Sequence, residues 1–345
     1  GRRVGNFSSP IVTAATYLIA ELGVTLNFAS ATYATDNRYS FTATAPTHSN
    51  ANVTAGLDAL LASGRDVGAI VILSALGGAL DTDRATAFAA QYAAVSAKLN
   101  EWDAANRPTI AVMELPAPVA TDASGIAAWV SAMNGIIGSL SDLRIMVTGG
   151  YLRRTNALGD GDVQRRSLVG SAAEKFSSVA VDHDFGRFLD GPLAGVASIE
   201  YDKGVSSGLD ARFTTATSIP RQPGFYFTES RQTAPLGSDY ELTQNLRVVQ
   251  RAYKVLYAAL LRFRNEGFFT KSGGKLRDDE AASADGVLTQ ALKVAIVDPG
   301  YGSAASAAVS RTDNILTTKR LRASGRVRPK GYAKDITFDV GLTAS

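Results

Sequence analysis

VGAIVILSAL, residues 67–76, carries no charged side chain and gathers Val and Ile at its centre. A run that never alternates with polar residues is the pattern of a strand covered on both faces, as in a parallel sheet. RPTIAVMELP (107–116) repeats the pattern, and DLRIMVTGGYL (142–152) gives a third strand. Between the first two, residues 83–106 place Phe88, Tyr92, Val95, Leu99 and Trp102 at spacings of four and three, the core-facing stripe of a long helix. SGIAAWVSAMNGIIGSL (124–140) supplies a second helix. Ahead of them HSNANVTAGLDALLASG (48–64) reads as a helix capped by Ser49 or Asn50 and stopped at Gly64. Strand, helix, strand, helix, strand in that order predicts a parallel α/β layer with right-handed crossovers.

Towards the start of the chain, GVTLNFAS (23–30) and NRYSFTATAP (37–46) alternate and read as strands of a β element whose remainder lies upstream. The chain opens on Gly1 rather than Met, so further sequence is expected before it. Beyond the α/β layer, LVGSAAEKFSSVAV (168–181) reads as a short helix leading into a strand, and PGFYFTESRQTAP (223–235) as strands and turns. A helix over 239–265 sets Leu246, Val249, Tyr253, Leu256, Leu260 and Phe263 on one face and a basic stripe, Arg247, Arg251, Lys254 and Arg262, beside it. KSGG (271–274) is a turn, and 278–298 is a helix whose acids stand at its N-terminal end, where the dipole favours them.

The closing stretch, LRASGRVRPKGYAKDITFDVGL (321–342), reads as strand, turn and strand. A two-residue turn at Lys330-Gly331 sets Arg326 opposite Asp335 and Arg322 opposite Asp339 on one face. It sets Leu321 against Val340, Ala323 against Phe338 and Gly325 against Ile336 on the other. A slip of one residue would place arginines on apolar side chains, so the register is strongly specified.

With 345 residues the chain has room for two cored domains. It has no cysteine, hence neither disulfides nor thiolate metal sites. A net charge of +3 with mixed signs is too mild for a nucleic-acid binder, and no apolar run is long enough to span a membrane.

The motifs that carry chemistry are incomplete. GVSSG (204–208) has the spacing of a nucleophile elbow, but His48 and His183 both precede Ser206. In VDHDFG (181–186), Asp182, His183 and Asp184 are consecutive and on a strand would point to alternate faces. GDGD (159–162) offers Asp160 and Asp162 without the glutamate of a calcium loop. Gly77-Gly78 follows a buried strand without the spacing of a phosphate loop. No catalytic centre, cofactor or metal is expected.

The segments GPLAGV (191–196), GFYFTESR (224–231), GSDYELTQNLRVVQRA (237–252), RTDNIL (311–316) and PKGYAKDITFDVG (329–341), with residues 23–46, resemble in order and spacing the tail sheath proteins of contractile-tailed phages, in the branch known as DUF2586. The resemblance implies a structural subunit with no enzyme activity. Such subunits stack as six-membered rings in a helical tube around an inner tail tube, meet baseplate and tail terminator proteins, and contract to drive the tube through a bacterial envelope. It implies a place in the virion's tail, assembly in the host cytoplasm, and terminal arms that add strands to neighbours' sheets. It involves neither nucleic acid nor membrane. The expected organisation is the end of a β element (1–46), a three-layer α/β core (47–200) and a C-terminal α+β sheath-assembly domain (201–345) closing in an antiparallel hairpin. Expected assembly contacts are the basic stripe Arg247, Arg251, Lys254 and Arg262, and on the hairpin Leu321, Arg322, Arg326, Asp335, Ile336, Phe338, Asp339 and Val340. Alternatives are an α/β hydrolase or nucleotide-dependent enzyme, resting on GVSSG or Gly77-Gly78, and the sheath of a tailocin or other contractile injection system.

Overall fold

The computed structural model describes residues 16–19, 24–27, 49–73, 76–155, 163–205 and 208–332. The chain divides into two units, Gly1–Pro46 and Thr47–Ser345. In the first, β1 (Thr16–Ile19) and β2 (Val24–Asn27) pair antiparallel, with Thr16 opposite Asn27. The strand expected at 37–46, the GDGD loop and Ser206 lie outside the described residues.

In the second unit α1 (Asn50–Ala62) begins where the Ser49 hydroxyl accepts the amide of Asn52 at 3.2 Å, and the chain turns away at Gly64, φ 75°. Then come β3 (Ala69–Ile72), α2 (Asp81–Ala104), β4 (Ile110–Glu114), α3 (Ala123–Gly135) and β5 (Ile145–Thr148). The strands form one parallel sheet in the order β3-β4-β5. One face buries Ile70, Ala111, Met113, Ile145 and Val147 under α2 and α3, whose Phe88, Leu99, Trp102 and Trp129 are almost wholly buried. Val112 and Met146 point the other way, into a second core. Residues of either parity are therefore buried in β4 and β5, which is why those strands read as unbroken apolar runs, whereas on the edge strand β3 Val71 is 38% exposed and the expected cover on both faces is incomplete.

The third expected strand is in fact two. At Gly149-Gly150 the chain leaves the parallel sheet: a side chain on Gly149 would collide with Leu209, and Gly150 takes φ 110°. It re-enters as β6 (Tyr151–Thr155), which pairs antiparallel with β7 (Val163–Ser167) and β8 (Val196–Ile199). α4 (Leu168–Ser178) lies between β7 and β8 in sequence and covers the second face of the parallel sheet with Leu168, Val169 and Ala172. The strand expected after α4 is absent; residues 179–187 form a loop. β9 (Ala216–Ser218) and β10 (Phe225–Phe227) make a short antiparallel pair. The outer edge of β5 is covered by the same region: the Thr214 amide donates to Val147 O at 2.9 Å and the Thr233 amide to Ile145 O at 2.9 Å.

α5 (Thr243–Leu260) leads into a third core. β11 (Thr270–Lys271) and β12 (Lys275–Leu276) flank the KSGG turn, where Gly273 and Gly274 take φ 79° and 67°. α6 (Asp278–Leu292) starts with Asp278, Asp279 and Glu280 in its first turn, as the sequence suggests, and ends in a π-helical turn, Lys293–Val297. β13 (Ala304–Val309), the single-turn α7 (Ile315–Thr318) and β14 (Ala323–Arg328) complete the described chain. RTDNIL thus ends in a capped helical turn ahead of β14, with Asn314 Oδ1 accepting the Thr317 amide at 3.1 Å.

Candidate assembly surface

Of the basic stripe expected along α5, Arg247 is buried, Lys254 is half-buried, and Arg251 and Arg262 are exposed. The first half of α5 lies against the α/β layer: Gln244 reaches Ser230 at 3.0 Å and Asp184 at 3.0 Å, and Arg247 points inward. Its second half contributes Ala252, Val255, Leu256, Ala259 and Leu260 to the third core. The buried arc is wider than one stripe, and Tyr253, expected in the core, stands 39% exposed with its hydroxyl on Asn106 Oδ1 at 2.7 Å.

Arg247 is buried. Its guanidinium donates to the carbonyls of Phe176, Val179 and Ala180 at 3.1, 3.2 and 3.1 Å, satisfying the open C-terminal end of α4. It lies 5.2 Å from the ring centre of Phe176 and 5.8 Å from that of Phe185. Burial pushes it down to about 10, with the nearby Asp182 charge opposing that shift. These three carbonyls, held by a side chain from another element, explain why no strand follows α4. Arg251 donates to Ala295 O at 3.1 Å and stacks on Tyr301. Lys254 pairs with Asp66 at 2.5 Å. Arg262 is exposed and has no ion pair among the described residues. A groove of about 680 Å³ opens between β3 and α5, lined by Asp66, Val71, Phe176, Arg251 and Lys254 among others.

β14 alternates as its sequence predicts. Leu321, Ala323 and Val327 pack on the third core, while Arg322, Ser324 and Arg326 face outward. Its described partner is β13, with Ser306 opposite Arg326 and Ala304 opposite Arg328. Arg322 stands 3.5 Å from Asp313. Asp335, Ile336, Phe338, Asp339 and Val340 lie outside the described residues. The tight turn expected at Lys330-Gly331 is not formed: neither residue is in a turn, and Gly331 does not take a positive φ. A second groove, about 580 Å³ and largely apolar, runs between α5 and β14 past Tyr253, Leu256, Tyr257, Leu260 and Val327.

The reason for the missing turn is the VDHDFG loop. Lys330 Nζ sits 2.7 Å from Asp182 Oδ2, and the Tyr332 hydroxyl donates to Asp182 O at 2.8 Å. Burial pushes the Tyr332 phenol up to about 12, and the charges of Asp182 and Asp184 add to the effect. Asp184 accepts the amides of Gly186 and Ser230 at 2.8 and 3.1 Å, and His183 Nδ1 lies 3.2 Å from Asp190. Three consecutive polar residues face three different partners. Sequence reasoning weighs this cluster as a metal site and sets it aside, and reads Lys330 as part of a turn; their complementary charges are the signal that joins them. Beyond β3, Arg84 donates to Gly78 O at 3.0 Å and Ala117 O at 2.7 Å. The Gly77-Gly78 loop thereby presents a carbonyl inward, opposite to the amide cradle that a phosphate requires.

The family model described as DUF2586, N-terminal domain, matches residues 9–231. No curated protein sequence matches the chain. Among solved structures, the fold is similar to a chain of the anti-feeding prophage baseplate, in a six-fold symmetrised cryo-EM structure. That match has 12% identity and a TM-score of 0.51, covering 75% of this chain and 66% of that one. It is also similar to a chain of the anti-feeding prophage helical sheath in its contracted state, with 11% identity and a TM-score of 0.53, covering 86% of this chain and 76% of that one.

Proposed function

From the premise that this chain belongs to the DUF2586 family, we propose that it is a structural subunit of a contractile tail sheath. The observation that carries the reading is the fold shared with the helical sheath of the anti-feeding prophage over most of this chain. The likeness to a baseplate chain of the same particle supports a position in the same kind of assembly. The sheath-like role is non-enzymatic: the subunit works through its contacts with copies of itself. In the finer reading, copies stack as hexameric rings around an inner tail tube, end on baseplate and terminator proteins, and shorten together to drive the tube through an envelope. The organisation proposed for this work is the β element 1–46, the α/β core 47–200 and the sheath-assembly domain 201–345. The assembly takes place in the bacterial host and becomes part of a phage tail or of another contractile injection machine.

A repeated heterologous contact with a rise generates an open tube, whereas a closed point group does not. Electron microscopy of the purified protein tests this directly. Tubes with a ring repeat are expected; a monodisperse closed oligomer at every concentration overturns the reading.

A further inference from the structure

We infer that the amino end of α4, with the arginines beside it on β6 and β7, forms a binding site for a phosphate group. The site stands independently of the sheath reading above.

β6 and β7 sort their side chains by alternation. Leu152, which is buried, shares a face with Arg154, Gln164 and Arg166, while Arg153 and Arg165 stand on the other. The register puts Leu152 opposite Arg166 and Arg154 opposite Gln164. Arg154 and Arg166 are therefore diagonal neighbours, about 7–8 Å apart at the backbone. Two cations at that spacing repel, and an anion between them relieves the repulsion. Arg154 meets Glu174 at 3.3 Å, a largely exposed pair that stabilises little. Arg166 meets only the neutral Gln164. Both arginines line a groove of about 450 Å³, which the start of α4 also borders through Ser167, Gly170 and Ser171.

The two ends of α4 are treated differently. Its last carbonyls are taken by Arg247, but no acid stands in its first turn, where the dipole would favour one. The amide of Leu168 goes to Gly150 O at 3.3 Å and that of Val169 to Ser167 Oγ at 3.2 Å. The first-turn amide left over is that of Gly170, where a side chain would meet nothing within 4 Å. Its approach is open. Ser171, the next residue, is only 5% exposed and borders the groove, yet its hydroxyl has no hydrogen bond to any described residue. A buried hydroxyl without a partner costs stability, and an acceptor held in the groove would satisfy it.

These donors suit a phosphate better than a carboxylate. Two guanidinium groups, a hydroxyl and an amide exceed what the two oxygens of a carboxylate can use. A phosphomonoester offers three acceptor oxygens and nearly two negative charges, enough to answer both arginines at a helix amino end. Leu73 and Leu152 also line the groove, so there is apolar surface for an organic group carrying the phosphate.

Isothermal titration calorimetry of the purified protein reads the affinity directly; a melting shift would not, because phosphate also stabilises proteins by exclusion from their surfaces. The probes are inorganic phosphate, glycerol 1-phosphate and acetate at matched ionic strength. Saturable binding of one phosphate per chain is expected, with acetate weaker by about tenfold or more. Tighter binding of glycerol 1-phosphate assigns the site to an ester, and tighter binding of inorganic phosphate assigns it to the free ion. Arg166→Gln is expected to weaken binding by about tenfold or more, and Arg153→Gln, on the opposite face, to leave it unchanged. Ser171→Ala separates a ligand group from a structural one. Its binding should weaken by about threefold or more, while its melt without phosphate stays level or rises because an unpartnered buried hydroxyl is gone. That variant keeps the test decisive even if Arg166→Gln fails to fold. Absence of saturable phosphate binding, or acetate bound as tightly, overturns the site. Equal losses in Arg166→Gln and Arg153→Gln overturn it as well, as does wild-type binding by Ser171→Ala.

Discussion

Tyr92 and Thr233, 141 residues apart in sequence, meet hydroxyl to hydroxyl at 2.6 Å in the buried interior. Thr233 directs its own proton to the carbonyl of Asp142 or Ile145, at 3.0 and 3.1 Å, so Tyr92 donates. The same phenol accepts the Asp142 amide at 2.6 Å. One oxygen thus ties α2, the entrance to β5 and the segment that covers the edge of β5. Burial pushes the phenol up to about 12, which keeps it a neutral donor through the physiological range.

Tyr92→Phe removes both bonds and strands a buried amide. The expected cost is about 1–3 kcal/mol of folding stability, the penalty for leaving a buried polar group unpaired. Urea melts with an unchanged slope and a lower midpoint would register it; a midpoint equal to the wild type contradicts the bonding scheme.

Asp142 gives the acid limb of stability. Burial acts to raise its carboxyl, but hydrogen bonds from Arg144 and Ser96 outweigh that and hold it below the ordinary carboxylate range. Arg144 contributes Nε at 2.9 Å and Nη2 at 2.7 Å, and Ser96 its hydroxyl at 2.5 Å. A group whose carboxyl is depressed on folding stabilises fully above its unfolded value, and the contribution fades as the pH falls through the folded one. Asp142→Asn is therefore expected to be less stable by about 3 kcal/mol at pH 7. The gap to the wild type should narrow as the pH drops below about 4. Thermal melts at pH 7, 5 and 3 check it; a gap that stays constant would refute the assignment.

Arg247 and Arg262 should respond very unequally to charge reversal. Arg247→Glu leaves three carbonyls without their donor and buries an anion between aromatic rings, so about 3 kcal/mol or more of stability is lost. Arg262→Glu, on an exposed side chain, should leave the melt within about 0.5 kcal/mol of the wild type. If the turn that follows α5 meets an acidic neighbour through Arg262, its reversal weakens assembly most at low salt, where such contacts are least screened. Matching melts for the two variants would contradict the burial of Arg247.

The α/β layer was legible in the sequence because burial on two faces and helical spacing are local signals. Phe88, Tyr92, Val95, Leu99 and Trp102 announce α2 without knowledge of what they touch. The errors fall where a distant group decides. Gly149-Gly150 looks like the middle of a strand until Leu209 is seen against it. Arg247 has the spacing of a surface stripe, and only the carbonyls of α4 explain its burial. Lys330-Gly331 has the composition of a tight turn, yet a carboxylate 148 residues earlier sets its path.

α5 is hydrogen-bonded to the α/β side of the chain through Gln244 and Arg247 and packed into the third core through Ala252, Leu256 and Leu260, and this fixes which parts of the subunit can yield under load. A helix that is one continuous hydrogen-bonded rod from Thr243 to Leu260 transmits bending badly and displacement well. Hinging the α/β layer against the third core would have to snap that rod or extract Arg247 from between Phe176 and Phe185. Both are costly compared with re-aiming an exposed connection. In any array of such subunits that changes its pitch, the described parts of the α/β layer and of the third core are therefore expected to move together, with α5 as the bar between them.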